Sequence, residues 1–405
     1  MNFRPRRSRW TDLAATSALL VALTAGATAP AFATAPAPAA SQLPPLDESA
    51  LRQAMAGLPN ADVTGALARV SGKQVRWSGT SGVSDLGTGR PVSADSRFRI
   101  GSVSKVFTAT VALQLVGEGR LDLNSTVQEH VPLLLPKGYP DVTVSQLLNH
   151  TSGLPAHGGT EIWGDGTTRW FTEHRLDGAT PEQVIADGLT FPKEFLPGTA
   201  QQYNGLNTFV LGRVIEQVTG QTFAHEVQTR IARPLGLHHT YVAEADDPSL
   251  SGPHAHGYLT VTEPDGTARQ VDVSEQSPWP WAEGGMISTA PELDRFITEL
   301  FRGRLLRPAQ QELLFTVPDV PNHRNKNCQG DHACFSMGLM SATLPNGVVI
   351  WGKTGSRPGY TSGMFATRDG SRHLVYSINP TGLMGAEFPY VLRIATAAFA
   401  SGKSV

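Results

Sequence analysis

Ser102 and Lys105 lie three residues apart where an apolar run opens: Val106, Phe107, Ala109, Val111, Ala112, Leu113 and Leu115. On a helix that spacing puts a hydroxyl and an amine on one face, a turn apart. A serine becomes a useful nucleophile only when a nearby base takes its proton. A lysine can be that base where apolar surroundings disfavour its ammonium form and lower its pKa. The amino end of a helix adds N–H groups and positive potential where an oxyanion would form. The S-x-x-K spacing alone is common, and an N-cap serine with a solvated lysine has the same letters. A helix apolar on nearly every side, however, has no solvated face for Lys105.

A second amine comes with Gly352-Lys353-Thr354-Gly355, at the end of an expected strand. From Gly347 to Thr354 the letters also match the phosphate loop G-x-x-x-x-G-K-[ST]. Such a loop needs a flexible turn entering a helix. Here Val348, Val349, Ile350 and Trp351 are strand formers, Gly347 belongs to a hairpin turn, and Gly355, Pro358 and Gly359 preclude a following helix. The nucleotide reading is rejected.

Other candidates are weaker. His254, His256, His238 and His239 lack an accompanying carboxylate-rich helix, so no metal site is expected. His150 reads as a hydrogen-bonding residue of its turn. Trp279 and Trp281 either pack or wall a cleft, and Arg357 either meets a carboxylate or is solvated.

These residues need elements to position them. Residues 46–57 read as a helix ending at Gly57, and 63–70 and 74–81 as paired strands. Val103 to Leu115 is a buried central helix. Helical patterns follow at 144–150, 181–189 and 208–218. Asn346-Gly347 and Asp369-Gly370 are two-residue hairpin signals flanked by β-formers. They predict strands near 335–343, 348–353, 360–368 and 371–379, with a closing helix over 390–400. Sheet segments at both ends with helices between them predict an α+β fold, an antiparallel sheet flanked by helices plus an inserted all-helical lobe. The expected unit is 46–400, with its α/β part at about 46–110 and 280–400 and its helical part at about 111–279.

The chain has 405 residues, 33 Lys+Arg against 35 Asp+Glu, and two cysteines. The near-neutral balance gives no support for nucleic-acid binding. Two cysteines exclude a disulfide-dense scaffold and a multi-cysteine zinc module. Arg4, Arg6, Arg7 and Arg9 precede an apolar stretch ending in Ala31-Phe32-Ala33, which predicts a signal peptide over 1–33 and a secreted product. A Pro/Ala spacer follows at 34–45. No later segment is apolar enough for a stable membrane anchor, and a monomer is expected. Outside the reducing cytosol, Cys328 and Cys334 are close enough to pair as a disulfide.

One ordered set of motifs gathers these residues. Arg99-Ile-Gly-Ser-Val-Ser-Lys-Val-Phe107, His150-Thr-Ser-Gly-Leu154, Pro197-Gly198 ahead of Tyr203, Gly284-Gly-Met-Ile-Ser288 and Lys353-Thr-Gly355 resemble the serine β-lactamase-like hydrolases. The nearest likeness is to class C β-lactamases and secreted D-alanyl-D-alanine carboxypeptidases. The resemblance implies Ser102 as the acylated nucleophile, Lys105 as its proton partner, and Tyr203 as the phenolate or shared-proton base. It implies that Lys353 attracts the substrate carboxylate and helps depress the Tyr203 pKa. Thr354, Gly355 and Ser356 would form the substrate and oxyanion edge, with the Ser102 and Ser356 N–H groups as the oxyanion hole. It implies a peptidoglycan stem peptide or β-lactam as partner, no cofactor, and carboxypeptidase action, with β-lactamase or esterase/D-amino-acid-specific peptidase as alternatives. The family usually reads Tyr-x-Asn, its amide touching the substrate's acyl-side amide. Here Gly205 holds that place, leaving Asn204 or Asn207 as candidate substitutes.

Overall fold

The computed structural model describes residues 43–383 and 385–399. The expected signal peptide and most of the Pro/Ala spacer lie outside the described residues. The spacer's end is tied down, since Arg372 Nη2 donates to the Pro44 carbonyl at 2.6 Å.

Seven antiparallel strands make the main sheet. In chain order they are β1 (Val63–Gly72), β2 (Arg76–Asp85), β3 (Arg90–Pro91), β4 (Met340–Thr343), β5 (Val349–Arg357), β6 (Tyr360–Thr367) and β7 (Arg372–Pro380). Their spatial order is β3-β2-β1-β7-β6-β5-β4. Early and late segments therefore share one sheet: β1 meets β7 with Leu67 opposite Ser377 and Val70 opposite Leu374. Asn346-Gly347 and Asp369-Gly370 make the turns β4–β5 and β6–β7, with φ of 81° at Gly347 and 62° at Gly370, angles that suit glycine.

Both faces of the sheet are covered. Leu374, Tyr376 and Ile378 of β7 pack with α1 (Glu48–Ala54) and α5 (Phe388–Phe399). The opposite face, through Leu67, Met364 and Val375, joins the larger core around α2 (Ser104–Gly117), α3 (Leu206–Thr219) and α4 (Ala290–Phe301). Both faces being covered, all nine residues of β7 are buried, and Leu374-Val375-Tyr376 is apolar without alternation. α2 runs through this core: Ser104 to Leu113 are all buried, and Phe107 stacks on Phe296 of α4 at 3.8 Å.

Two expectations are corrected. The strand expected over 335–343 begins only at Met340, because Gly338 turns at φ 108° and the Ser336 hydroxyl is drawn to the Leu314 carbonyl at 2.6 Å. The inserted segment is helical as far as Leu235 but then carries a ribbon, Tyr258–Thr262 paired with Ala268–Asp272. Its turn is a third two-residue signal, Asp265-Gly266, with Asp265 Oδ1 accepting from the Thr267 N–H at 2.9 Å.

One further sheet matters for position. Arg97–Arg99, Met286–Thr289 and Tyr241–Val242 form three short strands, and Ile100 N donates to the Met286 carbonyl at 3.0 Å. This clamps the chain just before Ser102 against the chain just after Glu283.

Candidate active site

Ser102 sits in the single tight turn Gly101–Val103 that leads into α2. The turn lies directly on β5: a Cβ at Gly101, where φ is 50°, would stand 2.5 Å from Ser356 N, and one at Gly355 would stand 2.0 Å from the Ile100 carbonyl oxygen. Only hydrogen at both positions allows this approach. It brings the backbone at Ser102 beside that at Ser356, the placement an oxyanion hole requires. Ser356 lines the same cleft as Ser102. Thr354 supplies its carbonyl, which accepts from Lys353 Nζ at 2.9 Å.

The helix spacing does what it promised. Lys105 Nζ donates to Ser102 Oγ at 3.0 Å and to the Glu283 carbonyl, also at 3.0 Å. Lys105 further forms an ion pair with the Glu283 carboxylate. Ser102 Oγ lies 3.4 Å from Glu283 Oε1. Tyr203 closes the group. Its ring centroid is 4.5 Å from Lys353 Nζ and 5.2 Å from Lys105 Nζ, and its buried hydroxyl makes no hydrogen bond among the described residues. Ser102 with Lys105, Tyr203 and Lys353 thus converge from three separate stretches of chain.

The approach to α3 holds Tyr203 in place. Asn204 Oδ1 caps α3 by accepting from Leu206 N at 2.8 Å, while its Nδ2 donates to the Leu154 and Pro155 carbonyls, each at 2.7 Å. Asn207 is bound to Ser152 and, at 3.1 Å, to His150 Nδ1. Both amides are buried and spent on the scaffold. Neither substitutes for the asparagine that Gly205 replaces. His150, with φ 61°, is a scaffold residue of its turn and lies 4.9 Å from the Tyr203 ring. Phe335 stacks on the Tyr203 ring at 5.0 Å and meets the His150 ring edge-on at 5.3 Å.

The electrostatics correct one expectation. Burial alone would lower the Lys105 pKa, but the Glu283 carboxylate, with Tyr203, outweighs it and holds the amine above its ordinary value. The ammonium form of Lys105 is thereby favoured over the neutral amine. Lys353 is the amine that burial, aided by the Lys105 charge, does push down. At Tyr203 burial opposes ionisation, yet the Lys105 and Lys353 charges prevail and the phenol falls below its ordinary value. Burial and the same two amines hold His150 well below the usual imidazole range, so it stays neutral.

Glu283 is the residue that sequence reasoning missed. The signal was a lone acid in Trp279-Pro-Trp-Ala-Glu-Gly-Gly285, a stretch too apolar to solvate it and without a cation nearby in sequence. A Cβ at Gly205 would stand 3.1 Å from both Glu283 Cγ and Oε1, so the carboxylate fills room that the glycine leaves. The tryptophans divide: Trp279 lines the cleft with Trp163 edge-on at 5.3 Å, whereas Trp281 packs inward on Phe223 at 5.4 Å. Arg357 also lines the cleft, its Nε donating to Gln276 Oε1 at 3.1 Å. Cys328 and Cys334 are joined in a disulfide. His256 pairs with Asp272 at 2.6 Å.

A serine, two amines and a phenol gathered at the mouth of a buried helix, beneath a strand edge, are the groups of a serine hydrolase. The family model described as Beta-lactamase matches residues 48–397, and the chain belongs to that family. It is 32% identical to the D-stereospecific amidohydrolase from Streptomyces sp., whose crystal structure it matches with a TM-score of 0.74 over 88% of this chain and all of that one. It is 29% identical to Esterase EstB of Burkholderia gladioli over 55% of this chain and 61% of that protein. It is 30% identical to Penicillin-binding protein 4 of Amycolatopsis lactamdurans over 53% of this chain and 54% of that protein. The matched stretches thus span less than two thirds of these two curated relatives.

Proposed function

We propose that the protein is an exported hydrolase of amide bonds that follow a D-configured aminoacyl group with a large apolar side chain. The observation that carries this reading is the cleft beside Ser102, about 250 Å³, walled by Trp163, Trp170, Phe171 and Trp279. Such a wall suits a bulky acyl side chain better than the methyl of alanine. The D-configuration comes from the likeness to the Streptomyces amidohydrolase. The disulfide supports export.

In this reading the Tyr203 phenolate accepts the Ser102 proton as Oγ attacks the carbonyl carbon. The Lys105 ammonium donates to Oγ throughout and orients it. The N–H groups of Ser102 and Ser356 receive the oxyanion. Tyr203 then hands its proton to the departing amine, the C–N bond breaks, and an ester to Ser102 remains. Water, deprotonated by the same phenolate, reverses the steps and frees the acid.

Action on D-alanyl-D-alanine stem peptides is a second reading. Arg357, a cation at the cleft, and the penicillin-binding relative favour it. The test is turnover of D-phenylalaninamide, L-phenylalaninamide and a D-alanyl-D-alanine peptide by wild type and Ser102→Ala. The proposal expects Ser102-dependent release of ammonia from the D-amide alone or by far the fastest. Turnover of the dipeptide terminus with an inert D-amide overturns it in favour of the carboxypeptidase.

A further inference from the structure

We infer that Glu283 recognises a free α-ammonium on the acyl group, so that this site takes substrates by an unblocked amino end. The inference rests on the acyl-enzyme reading above and adds the chemistry of the group next to the scissile carbonyl.

Three observations meet at one carboxylate. Glu283 Oε1 stands 3.4 Å from Ser102 Oγ. When Oγ bonds to a carbonyl carbon, an amine on the adjacent carbon lies about 2.5 Å from that carbon and about 3 Å from Oγ, by ordinary bond lengths. An acyl group turned so that its α-nitrogen faces Glu283 therefore brings that nitrogen within salt-bridge reach of the carboxylate. Second, only Oε1 holds Lys105; Oε2 makes no hydrogen bond or ion pair among the described residues, and the side chain, 18% exposed, lines the cleft. Third, Gly205 leaves the carboxylate its room, since any side chain there would press on Glu283 Cγ and Oε1.

The surroundings carry more carboxylates than guanidinium groups. Glu161 and Asp177 add carboxylates to the cleft, against the two cations Arg175 and Arg357, whose guanidinium groups donate to the Thr172 carbonyl at 2.7 Å and to Gln276 Oε1 at 3.1 Å. An ionised carboxylate only accepts hydrogen bonds. It satisfies the N–H groups of an ammonium, whereas an N-acylated substrate would turn a carbonyl dipole and added bulk toward it. Glu283 then bridges two cations, Lys105 and the substrate's amine.

The test uses p-nitrophenyl esters of D-phenylalanine and N-acetyl-D-phenylalanine, so that an easy leaving group isolates the choice of acyl group. Wild type should favour the free amine in kcat/KM, and Glu283→Gln should reduce that preference about tenfold to a hundredfold. Both rates will fall as Lys105 loses its counter-ion, and only their ratio reports recognition. An unchanged ratio in the variant, or equal rates in wild type, overturns the inference and leaves Glu283 as a positioning residue for Lys105. Failure of both esters to acylate Ser102 overturns the functional reading together with it.

Discussion

The molecule holds two buried polar clusters of similar make. One is Ser102, Lys105, Glu283, Tyr203 and Lys353; the other is Arg69, Asp294, Ser71, His373 and Thr298. In the second, Asp294 accepts from Ser71 and, at 2.8 Å, from Arg69, while Thr298 and His373 Nδ1 meet at 3.0 Å. Burial works to raise the Asp294 pKa, but His373, Ser71 and Arg69 together hold it below the ordinary value. Serine, histidine and aspartate are all present, yet Asp294 binds Ser71 directly, so the imidazole does not stand between them as a relay needs. Here the partners match the charges, and among the described residues His373 Nε2 alone of this cluster is left over. In the first cluster two amines crowd a phenol whose oxygen has no partner. Both clusters border a cleft, so what separates them is unequal satisfaction of their polar groups, rather than composition or access.

Substitutions in the two clusters should therefore fail in different ways. The largest effect is expected from Tyr203→Phe, which removes the base and should cut kcat/KM by about a hundredfold to ten-thousandfold. Folding should be little changed, because the hydroxyl makes no bond to lose. A variant at wild-type rates would move the base role to Glu283. Asp294→Ala should do the reverse. Removing one partner of a buried ion pair costs about 3–5 kcal/mol, read as a drop in Tm, while the acylation rate per folded molecule holds. The Asp294 contribution also has a sign with pH. Its folded-state pKa is depressed, so the stabilisation is complete above the unfolded carboxylate range and fades as pH falls through the folded value. Wild type and Asp294→Asn should accordingly converge in Tm in acid.

A subtler contrast lies within the active cluster. Lys353 lowers the Tyr203 pKa by its charge. In Lys353→Met the limb of kcat/KM that depends on ionised phenol should move to higher pH, measured with p-nitrophenyl acetate to avoid a titrating substrate. An unmoved limb would assign the depression to Lys105 alone.

The sequence made the sheet and the S-x-x-K helix legible because both are local: hairpin signals set β4–β5 and β6–β7, and an all-round apolar run has only the core to occupy. The resemblance brought in Tyr203. The Lys105–Glu283 pair was illegible, since its members are 178 residues apart and meet only through the three-stranded clamp at Ile100 and Met286. That hidden carboxylate is also why a sound burial argument gave Lys105 the wrong sign. The Gly205 departure looked like a loss for the same reason, because the group filling its space comes from another part of the chain.

The smallest expected effect concerns the cleft wall. Trp163 is 38% exposed, edge-on to Trp279 at 5.3 Å and farther from Phe209 at 6.5 Å. Its removal should disturb the fold little, because much of the ring already faces water. If the wall holds the acyl side chain, Trp163→Ala should lower kcat/KM for the p-nitrophenyl ester of D-phenylalanine about five- to tenfold, the worth of one aromatic contact. The D-alanine ester, whose methyl group does not reach the ring, should change less than about twofold on the same reasoning. An equal loss for both esters would show that Trp163 acts on the catalytic cluster through its packing, and the aromatic wall would no longer distinguish an amidase of bulky residues from a carboxypeptidase.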